Sequence, residues 1–131
     1  MAVAQIPAPE FDKATAFTAS DFHRTLASNE DGSDYGWGSH HLMVGGAVKG
    51  TAFYGTAPPI SVGATTAPDD QWHVGQGQLL PSTSVDQYAA TLAGWFGGSD
   101  TEMSGVLPSI RRFGSASGPL GCPVNLGVLK P

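Results

Sequence analysis

The stretch "STSVDQYAATLAGWFGG", residues 82–98, constrains this chain more than any other. Ser84 followed three residues later by Gln87 is a capping-box pattern, in which side chain and backbone satisfy each other's orphan amides at a helix start. Val85, Tyr88, Ala89, Leu92, Trp95 and Phe96 then recur at helical spacing, predicting one apolar stripe. Gly97-Gly98 end the helix, since glycine tolerates the left-handed geometry common after a last turn. A second box, Ser99 with Glu102, predicts a short helix that Pro108 ends.

Nothing else in the chain is as periodic, because glycine and proline interrupt it throughout. The 18 glycines and 10 prolines make up about a fifth of 131 residues, against about 12% in average proteins. Pro7 and Pro9 make residues 1–13 a loose arm. "ATAFTASDF" (14–22) reads as a strand, Ala27 to Ser39 as a loop, and "HHLMVGGAVKGTAFYG" (40–55) as strand, glycine break, strand. Gly45-Gly46 suits a hairpin turn there. Residues 56–83, with Pro58, Pro59, Pro68 and Pro81, form a long loop, 114–123 resembles a linker, and "VNLGVL" (124–129) suits a last strand. The expected fold is a single small, loop-rich α/β (or α+β) domain over 1–131, with short strands and one main helix.

Charge narrows the partners. Charged residues are 13% of the chain, half the usual ~25%, and the net charge is -5. A phosphate backbone needs a basic stripe that releases counterions, and Arg111-Arg112 is too small for one, so no nucleic-acid partner is expected. No apolar run reaches the ~18 residues of a membrane span, and the start lacks the basic and apolar regions of an export signal. Cys122 is the one cysteine and has no charged neighbour to lower its thiol pKa.

The motifs "FTASDFHRT" (17–25), "GSDYGWGSHHLMVGGAVKG" (32–50), "SVDQYAATLAGWFG" (84–97), "LPSIRRF" (107–113) and "NLGVL" (125–129) stand in one order. Together they resemble the C-terminal part of the bacterial domain-of-unknown-function 1501 family, from about Ala16 to Phe113 with a weaker echo at 125–129. That family is similar to the alkaline phosphatase and sulfatase superfamily, whose α/β/α domains carry a two-metal hydrolytic site. The resemblance implies a truncated member of an exported family, without the upstream part that bears the nucleophile. It also implies that Asp21 is a metal ligand, with Phe22 where an Asp-His pair would place His. Asp34 matches a second ligand position, with Tyr35 in place of an expected imidazole, and His23 stands where a glycine is usual.

The residues themselves leave two readings open. In the first, Asp21, Asp34, His40 and His41 hold a divalent ion (zinc, manganese or calcium), and His23 with Arg24 steers a phosphate, sulfate or carboxylic ester. Adjacent histidines on a strand point to opposite faces, so His40 and His41 share an ion only where the backbone turns. In the second, Ser33 and Asp34 cap a turn, and the chain is a non-catalytic binding or self-assembly module. On either reading the Tyr88–Leu92–Trp95 face lacks a covering sheet, so homo-oligomers are expected. His73 has no partner at ligand spacing and reads as structural. No Gly-x-Ser-x-Gly elbow and no phosphate loop is present.

Overall fold

The computed structural model describes residues 8–20, 22–36, 38–60, 72–114 and 123–131. The fold is α+β and loop-rich, with two antiparallel strand pairs and two α-helices among the described residues. The chain divides into two units: Met1–Phe17, Met43–Gly55 and Thr83–Pro131 form one, and Thr18–Leu42 and Thr56–Ser82 the other.

The first unit is helical and carries the core. Strand β1 (Thr15–Phe17) pairs antiparallel with a strand at Met43–Gly45, matching Ala16 to Val44 and Phe17 to Met43. Gly45 and Gly46 lead away from this pair and do not close a hairpin between 40–45 and 48–55 as expected. The reason is steric. A Cβ on Gly45 would overlap the Ala14 carbonyl, and one on Gly46 would lie 2.5 Å from Asp12 Oδ1. Bare backbone there admits the 3-10 helix Ala8–Lys13, whose Phe11 carbonyl accepts from Gly46 N–H at 3.2 Å. The expected loose arm is therefore ordered over its last six residues.

Both capping boxes form. Helix α1 (Val85–Trp95) begins at Ser84, whose Oγ accepts from Gln87 N–H at 3.2 Å while Gln87 Oε1 accepts from Ser84 N–H at 3.0 Å. Helix α2 (Asp100–Val106) repeats this with Ser99 and Glu102, and a 3-10 turn, Pro108–Arg112, follows.

The buried face of α1 differs from the expected stripe. Gln87, Ala90 and Thr91 are buried, whereas Val85 and Phe96 are 76% and 87% exposed. The cause is the C-terminal segment 123–131, whose backbone needs polar partners where it crosses the helix. Gln87 Nε2 donates to the Pro123 carbonyl at 2.6 Å, and Thr91 Oγ1 accepts from Leu126 N–H at 2.9 Å while donating to the Gln87 carbonyl at 2.8 Å. The segment then pairs with Ala47–Lys49: Lys49 N–H donates to Val128 O, Lys130 N–H to Ala47 O, and Val48 bridges Leu129. The expected last strand is thus a single bridge.

Two small apolar clusters result among the described residues. Ala47, Val128 and Leu129 take Met43, Leu92 and Trp95 against them; Ala90, Met103 and Ile110 take Ala93, Leu107 and Phe113. The Tyr88–Leu92–Trp95 face, expected to lack a cover, has one: Phe17 meets Tyr88 edge-on at 6.2 Å, and Leu92 and Trp95 sit on the first cluster. Burial raises the Tyr88 pKa.

The second unit is built on a hairpin. Strand β2 (His23–Ser28) pairs antiparallel with β3 (Ser33–Gly36) through His23–Gly36, Arg24–Tyr35 and Ser28–Ser33, so β3 lies inside the span read as a loop. A bulge between Arg24 and Ser28 shifts the register, and the Thr25 hydroxyl fills it by accepting from Asp34 N–H and donating to the Ala27 carbonyl, both at 3.0 Å. The bulge frees Leu26 N–H, which donates to the Gly77 carbonyl at 3.0 Å.

Gly77 belongs to a small turn inside the expected 56–83 loop. His73 bridges Leu79, Val74 N–H donates to Gln78 O, and Leu80 N–H to Trp72 O. Only glycine fits at 77: its φ is +75°, and a Cβ would lie 2.5 Å from Ala27 N. His73 Nε2 accepts from Gly77 N–H at 2.8 Å, so His73 has the structural role expected of it. With Nε2 accepting, the neutral ring carries its proton on Nδ1. Residues 61–71 and most of the 114–123 segment, Cys122 included, lie outside the described residues.

Candidate functional site

All the candidate residues that are described sit in the hairpin unit. His23 and Arg24 are consecutive on β2 and therefore project from opposite faces. His23 is half-buried opposite Gly36; a Cβ there would come 3.0 Å from His23 Nδ1, so the glycine makes room for the imidazole. The pair read as one anion clamp is thus split between two surfaces.

Arg24 is exposed and held at two points. One terminal nitrogen donates to the Ser33 carbonyl at 2.5 Å, and its guanidinium carbon stands 5.1 Å from the centre of the Phe22 ring. A cation over an aromatic face is attracted by the ring's quadrupole, by about 0.5–1 kcal/mol at an exposed site. Phe22 meets Tyr35 edge-on at 5.5 Å. Tyr35 is the cross-strand partner of Arg24, and Phe22 lies two positions before it, so all three share one face. Phe22 and Tyr35 are each 48% exposed. The sequence marks these rings only as replacements for expected imidazoles; the usable signal was the alternation Phe22, Arg24, Leu26.

Asp34 is exposed at the other end of the pairing. Its Oδ1 accepts from Asn29 Nδ2 at 2.6 Å, and its N–H caps the bulge at Thr25. His40 and His41 follow on exposed irregular backbone, with His41 Nδ1 at 3.4 Å from Thr18 Oγ1, whose hydroxyl also accepts from Leu42 N–H at 2.9 Å. Asp21 and Trp37 lie outside the described residues. Among the described residues no three His, Cys, Asp or Glu side chains come together as a metal site. The described candidates alone therefore do not assemble a metal site. No helix of the described residues is long and apolar enough to cross a membrane.

The family described as "Protein of unknown function (DUF1501)" matches residues 9–82. The match begins ahead of the quoted motifs, stops before α1 and encloses every candidate residue from Asp21 to His41. No curated protein and no solved structure matches. With more than half of its length carrying that family's pattern, the chain belongs to the DUF1501 family.

Proposed function

We propose that this chain is a binding module for an anionic ligand, with Arg24 as the contact and Phe22 and Tyr35 as its aromatic frame. The observation that carries this reading is the immobilised, exposed guanidinium. Stacking on Phe22 and the bond to Ser33 O remove much of the rotamer freedom that binding would otherwise cost. A guanidinium has five N–H donors in a planar fork, so donors remain for a carboxylate or phosphate. The exposed ring edges beside it suit the apolar body of such a ligand.

The test is a titration with inorganic phosphate, then phenyl phosphate, followed by amide chemical shifts. Saturable shifts at Phe22, Arg24 and Tyr35, weakened about tenfold in Arg24→Gln, support the module. Shifts elsewhere, or shifts indifferent to that substitution, overturn it.

A second reading keeps the metal-dependent hydrolase of phosphate, sulfate or carboxylic esters. It is supported by the family match, whose span includes Asp21, Asp34, His40 and His41, which would be the ligands, and His23 and Arg24, which would each contact the substrate. Elemental mass spectrometry of the purified protein decides for it or against it. About one equivalent of zinc, manganese or calcium, lost in Asp34→Asn, supports the hydrolase. A folded protein without metal rules that reading out.

A further inference from the structure

We propose a second ligand site in the helical unit, an open cleft for a small anion that carries a flat ring. The cleft has a volume of about 430 Å³ and is lined by Lys49, Trp95, Asn125 and Lys130, with Gly94 and Gly127 among the walls. A volume of that order suits a small molecule. Its charged side chains, Lys49 and Lys130, are both cationic, and Pro131, the last residue of the given sequence, shares its wall. Apart from Lys49, these residues lie beyond the span of the family match, and the inference does not depend on the Arg24 reading.

The polar residues of the wall are anchored through backbone or side chain. Lys49 is fixed through its backbone, with its N–H on Val128 O and its carbonyl accepting from the Tyr54 hydroxyl at 2.8 Å. Its own Nζ has no acceptor among the described residues. Lys130 Nζ donates to the Gly46 carbonyl at 2.6 Å, and Gly46 lines a neighbouring cavity, so Lys49 is the ammonium left to this cleft. Asn125 Oδ1 accepts from Gly127 N–H at 2.7 Å, so its NH2 group is left as a donor. Thr91 also lines the cleft, but its hydroxyl is committed to Gln87 O and Leu126 N–H.

The shape selects a flat body. Trp95 packs on the Ala47, Val128 and Leu129 cluster and also lines the cleft, while Gly94 and Gly127 add no side chains to narrow it. Cationic and amide donors beside an aromatic wall recognise an aromatic carboxylate better than a bare inorganic anion. Asp12 lines a smaller neighbouring cavity of about 260 Å³ that shares Trp95 and Lys130, which leaves the Lys49 end as the anion's end.

Benzoate is the probe, followed by amide and indole chemical shifts in the full chain. Saturable shifts at the Trp95 indole, Gly94 and Gly127 are expected, with affinity about tenfold weaker in Lys49→Gln and for neutral benzamide. Lys49 is exposed, so the variant keeps the fold, and an unchanged spectrum without ligand verifies this. Absence of saturable shifts up to the solubility limit of benzoate overturns the site. So does equal binding of benzamide, or an affinity unchanged in Lys49→Gln.

Discussion

Among the described residues, the buried apolar side chains Ala47, Ala90, Met103, Ile110, Val128 and Leu129 all belong to the helical unit. The hairpin unit buries Thr25, Gly36 and Gly77 instead. One unit is held by packed hydrocarbon, the other by backbone hydrogen bonds brought close by missing side chains. The first kind of cohesion scales with apolar area removed from water; the second depends on a few geometries being right. The candidate residues ride on the second kind. Regions with few buried apolar contacts open at low free-energy cost, and binding surfaces are commonly drawn from them.

The comparison breaks or sharpens under substitution. The largest effect is expected from Leu129→Ala, which removes a buried side chain from the cluster with Ala47 and Val128. A loss of about 2–5 kcal/mol is expected, nearer the lower end because the cluster is small. Denaturant unfolding of the helical signal measures it. If amide protection in β2 falls by the same amount, the two units are one cooperative body and the contrast fails.

Gly77→Ala probes the other side. Its positive φ and the approach to Ala27 N both disfavour a Cβ, at about 1–3 kcal/mol. Hydrogen exchange at Leu26 should speed up markedly while α1 amides keep their rates. Unchanged protection at Leu26 would mean that the turn at 72–80 is not what holds β2.

The smallest effect concerns pH. Hydrogen bonds from the Ser99 side chain and backbone hold the Glu102 carboxyl below its ordinary pKa. A lowered carboxyl contributes stability above the unfolded value, about 4.3, and loses it as pH falls through the folded value. Amide shifts at Ser99 and Met103 should therefore report fraying of α2 only in acid, and Glu102→Gln should flatten that dependence. An ordinary glutamate titration at 102 would show the second capping box to be absent in solution.

What was legible in the sequence follows the same division. Ser84 with Gln87 and Ser99 with Glu102 are local pairs three residues apart, so both helices could be read directly. The buried face of α1 could not, because the partners of Gln87 and Thr91 lie 36 and 35 positions away and are backbone groups without a residue signature. Strand β3 was hidden for a related reason. Its pairing rests on Gly36 yielding space to His23 and on a bulge filled by Thr25, neither of which makes an apolar period. The separation of His23 from Arg24 was legible in principle. The rule of alternating faces that divides His40 from His41 divides them too, once β2 is known to run through both.

The C-terminal segment has a consequence for kinetics. Lys130 reaches Gly46 across 84 positions, and closing a loop of that length costs about 4 kcal/mol by logarithmic scaling. Helix α1, with both ends specified by near neighbours, pays no such cost. The segment is therefore expected to dock late, onto a helix already presenting Gln87 and Thr91, and to leave early. On that order of events, shortening Leu129 accelerates unfolding and leaves the folding rate nearly unchanged. The lifetime of the folded chain is then governed by how long its last nine residues stay in place.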